Sequence, residues 1–459
     1  MHAVGLDYGD LQLIHEKVID MCKGLSLGAC ILGGLIRFKR HDEWKYVLNA
    51  KIWDSVDDNE ILPVLKLSYQ HLPLWLQRCF VYSAILPDDY EFKEKELVLL
   101  WIAEGLIGGA QEGEQLEDIG SEVFQQLLKR SLFHHSDSHA SKFRMYDLVK
   151  SRARWISGET NFRLYDVLGV NEQPRRFKRP RHSGTLASCD VEHLTTFLLG
   201  LIRSDDTHYV TDPLLSDLLP KFKRLRALSL EKKNITELPI SVEGLRHLRY
   251  VNLSNTLIRR LPDSICSILI WQILLLRDCS NLVELPPNLK NLINLRHFDI
   301  TGVNLIREMP LGMKELECLK TLLNFIVGKG LGLDLKDLEN LKYLRELYIS
   351  GLHNVIGSQD TKDSILVDKE GLKVLVLEWG SQSDDTRDEL VEEKVMDTLQ
   401  PYQNPKELVI KGYAGTRFPS SVGDPNYSNI VVLTLERCDK CTVLPSLGCL
   451  SSSTTPLKE

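Results

Sequence analysis

Cys438 and Cys441 stand at the Cys-x-x-Cys spacing of half a zinc site, two thiolates able to reach one metal ion. No second ligand pair follows at a usual distance. Cys438 also comes just past the alternating Leu433 and Leu435, where a thiol can bond the backbone of a turn, so a structural role is expected for it. His15-Glu16 opens the zinc-protease pattern, but position 19, where the second histidine belongs, is isoleucine. His134, His135 and His139 lie in a polar stretch that reads as a solvated turn rather than a metal site. A phosphate loop needs Gly-x-x-x-x-Gly-Lys-Ser/Thr so that backbone N–H groups and a lysine surround the phosphates. The chain's Gly328-Lys329 pair is followed by Gly330, and the motif occurs nowhere in it. No Gly-x-Ser-x-Gly elbow and no kinase phrase appears, so catalysis is not expected. The basic run RRFKRPRH, Arg175 to His182, could touch phosphate or act as a nuclear signal; a solvated linker is the plainer reading.

These residues need a scaffold, and the composition bounds it. The chain has 459 residues, enough for two to four domains, with 43% hydrophobic and 26% charged residues, as in ordinary globular proteins. A net charge of −7 gives no electrostatic case for nucleic acid or an anionic membrane. Ten cysteines scattered along a chain without a signal peptide favour reduced thiols over a disulfide framework. The Asn-x-Ser/Thr triplets at Asn234, Asn252 and Asn426 then count as chance matches. The apolar run from Gly24 to Ile36 is thirteen residues long, too short to cross a bilayer, and reads as a buried helix.

From about Leu194 one phrase recurs. Leu225-x-x-Leu228-x-Leu230 is followed by Leu248-x-x-Val251-x-Leu253, Trp271-x-x-Leu274-x-Leu276 and Leu295-x-x-Phe298-x-Ile300, at spacings of 23, 23 and 24 residues. That period marks a leucine-rich-repeat solenoid, in which each Leu-x-Leu segment is a short strand facing a shared core. Weaker copies run on to Leu433 and Leu435. Leu238-Pro239, Leu261-Pro262, Leu285-Pro286, Met309-Pro310, Phe418-Pro419 and Leu444-Pro445 close the coils, because proline cannot continue a ladder. Residues between the leucines, among them Arg226, Ala227, Ser229, Arg249, Tyr250, Asn252, Arg296, His297 and Asp299, are expected to face outward on a concave surface that takes a partner. The spacing stretches to 33 residues around the acidic Asp384 to Glu393, expected to be an inserted helix or loop with a solvated face.

Before the repeats, Ile61 to Ile107 reads as short amphipathic helices punctuated by Pro63, Pro73 and Pro87, with Leu97, Leu100 and Trp101 on one helical face. A second helical run, Leu116 to Leu128, precedes two short strands around a polar turn and a further helix. That order suits a winged helix.

Four phrases in this order carry a resemblance. Cys22-Lys-Gly-Leu-Ser-Leu-Gly-Ala resembles CGGLPLA, Cys79 to Tyr90 resembles CFAYCAIFPKDY, Trp101-Ile-Ala-Glu-Gly105 resembles WMAEG, and Met145-Tyr-Asp-Leu-Val149 resembles MHDLV. The chain resembles plant intracellular immune receptors of the coiled-coil class, which join a nucleotide-binding NB-ARC module to leucine-rich repeats. The resemblance implies an α+β multidomain chain: a helical ARC subdomain over 1–65, a winged helix over 66–158, a linker over 159–190 and repeats over 191–459.

It also implies a vestigial nucleotide site at Gly24, Leu25, Ser26, Leu27, Met145, Tyr146 and Asp147. Ser26 stands where the family has the proline near the base. Tyr146 stands where it has the histidine that contacts the ADP phosphate, and Asp147 is retained. The phosphate loop and magnesium-binding strand are missing because the chain begins just upstream of the first phrase, so it reads as N-terminally truncated. No cofactor is expected, although the family takes ADP or ATP. The expected function is defence by recognition, without catalysis. A pathogen effector or guarded host protein would be bound at Arg226, Arg249, Tyr250, Arg296 and His297, and a full-length related receptor is a further partner. A switch from an incomplete gene model and an inert pseudogene product are the competing readings. No nucleic acid, membrane span or metal is expected. A cytoplasmic location is implied, with the nucleus and the plasma-membrane periphery as alternatives.

Overall fold

The computed structural model describes residues 16–19, 22, 25–49, 62–108, 114–157, 191–199, 212–329, 334–355, 365–380, 387–399, 405–418 and 430–442. It divides into two compact units, one up to Asp190 and one from Val191.

In the first unit the apolar run forms the helix Ser26–Ile36, which buries Ile31, Leu32, Leu35 and Ile36. Gly34 lets this helix lie directly on the backbone of Arg130: a Cβ there would come within 2.8 Å of the Arg130 Cα. The helix Leu62–Gln70 runs through residue 65, so the domain boundary placed there falls inside an element. Pro63 stands in its first turn, which a proline without an N–H can occupy freely. The helix Glu94–Glu104 was expected to bury one face; every residue from Leu97 to Glu104 is buried, so it runs through the middle of the unit. It ends at Gly105, which adopts φ 72° as the left-handed cap that glycine takes without strain.

The helix Leu116–Lys129 buries Gly120, Val123, Phe124 and Leu127, the one-face spacing of an amphipathic helix. Phe124 packs edge-on against Phe92 and Phe143 and lies beside Trp101 and Phe133. The wing follows: β1 (His134–His135) pairs antiparallel with β2 (Phe143–Arg144), and the helix Asp147–Ser157 comes next.

Among its described residues the second unit holds one parallel sheet of ten strands in chain order: β3 (Thr196–Leu198), β4 (Ala227–Ser229), β5 (Tyr250–Asn252), β6 (Ile273–Leu275), β7 (His297–Asp299), β8 (Thr321–Ile326), β9 (Glu346–Ser350), β10 (Val374–Glu378), β11 (Glu407–Lys411) and β12 (Val432–Glu436). The repeated leucines fall in register, Leu228 beside Val251, Leu274, Phe298 and Leu322, and all are fully buried. Each such side chain contributes roughly 1.5–3 kcal/mol by leaving water. Pro239 and Pro262 turn the chain as expected, each followed at once by a 3₁₀ helix, Ile240–Gly244 and Asp263–Ser267. Pro419 and the Leu444-Pro445 pair lie outside the described residues.

The sheet changes character at β8. A one-residue bulge shifts the register between Leu322 and Phe325, where Asn324 adopts φ 79° and donates to the Ile300 carbonyl at 3.3 Å. Strands before it have three residues and strands after it five.

The acidic insertion corrects the sequence reading. It forms the helix Glu389–Thr398, capped by the Asp388 side chain; among its described acids Asp388 is exposed and Glu389 and Glu393 are half-buried, but one is not solvated. Glu392 is buried, paired with Arg387 at 2.6 Å, and accepts the Ala414 N–H at 2.8 Å. Arg387 in turn donates to the carbonyls of Gly380 and Gly412. Glu393 accepts from the Thr416 backbone and hydroxyl. The helix is a strap bolted to the turns after β10 and β11.

Candidate binding surfaces

The two motifs with family nucleotide contacts both fall in the first unit. Leu25 and Ser26 are exposed at the start of the helix Ser26–Ile36, Leu27 is half-buried, and Gly24 lies outside the described residues. Met145 and Tyr146 are half-buried between β2 and the helix Asp147–Ser157, and Asp147 is exposed. Tyr146 stacks on His134, with ring centroids 4.0 Å apart. Burial, then the Cys30 thiol and Asp137, push the Tyr146 pKa up. Cys30 sits on the helix Ser26–Ile36, so the two motifs come within electrostatic range of one another.

The phrase Cys79 to Tyr90 is latched to the helix Asp147–Ser157. Asp88 bridges Lys150 at 3.2 Å and Arg154 at 2.8 Å, and Lys150 also donates to the Pro87 carbonyl. Burial works against the Asp88 charge, yet the hydrogen bond from Arg154 and the field of Lys150 hold its carboxyl below the ordinary value. Burial lowers the Lys150 amine to about 8. The wing is held by Glu91, which accepts from Ser136 and Ser138 and pairs with Lys142 at 3.3 Å and Arg144 at 2.8 Å. These bonds lower its carboxyl to about 2.

On the sheet, expectation and structure part company. Tyr250 and His297 are 2% and 3% exposed, and Ala227, Ser229, Asn252 and Asp299 are buried too. Parallel strands lie only about 4.8 Å apart, so side chains of neighbouring rungs cover one another. His297 Nδ1 meets the Thr321 hydroxyl at 3.1 Å. Asn252 and Asp299 do local work, each accepting from the N–H two residues on, that of Ser254 and of Thr301. That Asx pattern was readable in the sequence and was missed. Arg226, Arg249 and Arg296 are half-buried at the strand starts, and each makes a further contact within the chain.

Cys438 occupies the place of Cys279 one repeat type later. Cys279 Sγ donates to the Leu253 carbonyl at 3.0 Å, and Cys438 Sγ lies 3.8 Å from the Ile410 carbonyl, each reaching back to the preceding repeat. His134 and His135 sit on β1, each with Nδ1 beside a backbone carbonyl. Gly328-Lys329 follows the end of β8. His15 and the run Arg175 to His182 lie outside the described residues. No described helix is long and apolar enough to cross a membrane.

Residues 85–151 match the model of the disease resistance protein winged helix domain, and residues 335–455 match that of R13L1/DRL21 leucine-rich repeats. The second match begins just past the bulge at Asn324. A disease resistance protein of Arabidopsis thaliana is 37% identical over 98% of this chain and 32% of its own length. RPP13-like protein 1 of Arabidopsis thaliana is 35% identical, and RGA1 of Solanum bulbocastanum 33%, each over 96% of this chain and 43% of the relative. The chain thus spans 32–43% of the length of these curated relatives. Among solved structures, the leucine-rich repeat domain of the type III effector XopL matches over 52% of this chain and 71% of its own, at 20% identity and a TM-score of 0.30. The chain thus carries the winged helix and the repeats of the disease resistance proteins, and it is similar to plant members of that family along 96% or more of its residues.

Proposed function

We propose that this chain serves plant defence as a recognition protein whose repeats bind a pathogen effector or a guarded host protein, without catalysing a reaction. The observation that carries this reading is a parallel sheet of ten strands in a chain whose relatives are disease resistance proteins. A full-length relative is a second partner, met through the winged-helix unit. The contact residues on the sheet are Arg226, Arg249 and Arg296; Tyr250 and His297, being buried, support them from the next row.

The second part of the proposal is that these residues do not hold ADP or ATP by themselves. The groups around Tyr146 fit a diphosphate poorly: the nearby Cys30, Asp137 and Asp147 offer no cation, Lys150 is engaged with Asp88 and Pro87 and Arg144 with Glu91, and the His134 imidazole is stacked on the Tyr146 ring with Nδ1 at the His135 carbonyl. Tyrosine can donate one hydrogen bond but brings no positive charge.

Co-purification from infected and healthy tissue tests recognition. A partner enriched on infection should be lost from the R226A/R249A/R296A variant, since arginines at an interface centre carry about 2 kcal/mol or more each. Retention of every partner by a folded triple variant overturns the surface. Calorimetric titration with ADP and ATP tests the second part, and a micromolar Kd refutes it.

A further inference from the structure

The residue that precedes each central strand forms a row of its own. Arg226, Arg249, Gln272, Arg296, Lys320, Arg345, Lys373 and Lys406 stand immediately before β4 to β11. The row is fixed by backbone bonds rather than by side-chain preference. The N–H of Arg249 donates to the Arg226 carbonyl at 2.8 Å, that of Gln272 to Arg249 at 2.9 Å and that of Arg296 to Gln272 at 2.8 Å. Lys320, Arg345 and Lys373 continue it at 2.7 Å each, and Glu407 N–H to the Lys373 carbonyl at 3.0 Å places Lys406 in line. Seven of these eight positions are therefore cations in one file. At about 4.8 Å per rung the file runs roughly 34 Å. In a chain of net charge −7 this is a strong local departure. Lys373 and Lys406 are exposed, the arginines half-buried, and Lys320 is held over the Tyr343 ring at 4.1 Å.

We propose that this file is a docking stripe for an extended acidic peptide segment of the recognised partner; the inference rests on the reading that the repeats bind a protein. Charge complementarity sets the occupant's sign, because a file of cations concentrates a polyanion along its length. The adjoining row decides between peptide and nucleic acid. It carries Tyr250, Ile273, His297, Thr321, Glu346, Val374 and Glu407 in register. Its first four members are buried, so a ligand reaches the half-buried Glu346, Val374 and Glu407. A uniform polyphosphate meets carboxylates at Glu346 and Glu407 and gains nothing from Val374. A peptide that mixes acidic with apolar side chains suits both rows. Six of the cations already contact other groups of the chain, so the ligand must exchange with those contacts.

The test uses the full chain and fluorescence anisotropy. The probes are a labelled peptide of about twelve residues mixing Asp and Glu with Leu, which spans roughly 40 Å when extended, its Asn/Gln counterpart, and an oligothymidylate of similar length. The acidic peptide should bind, weaken as salt rises, and lose about tenfold or more in affinity to the R249E/R296E/K373E variant. Reversal off the stripe, in R260E/K290E, should leave affinity unchanged. If the triple reversal does not fold, as judged by circular dichroism, the R249Q/R296Q/K373Q variant replaces it with the same expectation. Undiminished peptide affinity in that variant, equal binding of the Asn/Gln peptide, or tighter binding of the oligonucleotide overturns the proposal. If the stripe fails while R226A/R249A/R296A still loses its captured partner, recognition by the repeats stands and only its acidic chemistry is wrong.

Discussion

The phenol of Tyr146 lies on the imidazole of His134 with the ring planes 22° from parallel, which ties the first strand of the wing to the start of the helix behind it. An aromatic pair of this kind contributes about 0.5–1.5 kcal/mol beyond its burial. Tyr146→Ala should therefore lower stability by about 1–2 kcal/mol, measured by urea unfolding. Tyr146→His should fold and still show no micromolar ADP binding by calorimetry, because the phosphate loop carries most of the contacts such a ligand needs.

Adjacent glycines in one helix should respond in opposite directions. At Gly33 a Cβ meets nothing within 4 Å, so Gly33→Ala should stabilise by roughly 0.5–1 kcal/mol through helix propensity. At Gly34 it would meet the Arg130 backbone carbon, Cα and oxygen at 2.8–2.9 Å, and backbone cannot move aside cheaply. Gly34→Ala should destabilise by about 1–3 kcal/mol despite the better propensity. Thermal unfolding of the two variants checks the pair, and the same sign in both refutes the packing account.

The strap helix offers a comparison of two neighbouring acids. Glu392→Ala leaves the half-buried Arg387 guanidinium and the buried Ala414 N–H without their carboxylate, so a loss of roughly 3 kcal/mol is expected. Glu393→Ala removes bonds at a more open rim and should cost at most about 1 kcal/mol. Hydrogen exchange of residues 389–399 should accelerate much more in the first variant than in the second.

Glu91 predicts an acid limb. Its carboxyl is lowered from 4.5 to about 2 by the hydroxyls of Ser136 and Ser138, with Arg144 and Lys142 adding to them. A carboxyl held low in the fold stabilises it above the unfolded value and loses that contribution as pH falls through the folded one. The stability difference between wild type and Glu91→Gln should be full above pH 4.5 and shrink toward about pH 2. A difference that stays constant across that window would show that the wing is not held by this charge.

The solenoid was legible in the sequence because its cause is periodic. Leucines every 23 or 24 residues can be buried together only by stacking in register, and Leu228, Val251, Leu274 and Phe298 do so. Helix order and the wing were legible from the same kind of pattern. The depth of each side chain was not. Tyr250 and His297 sit at positions that a lone strand would show to solvent, and only the close approach of neighbouring rungs encloses them. Glu392 looked like one acid in a solvated run; its burial depends on Arg387 and on the Ala414 N–H, which the fold brings to it from beyond β11. The cation file was present in the sequence one residue at a time, after Leu225, Leu248, Leu295, Leu319, Leu344 and Leu372. Backbone pairing between strands some twenty-three or more residues apart turned those separate lysines and arginines into one surface, since register is a property of the assembled sheet and not of any single repeat.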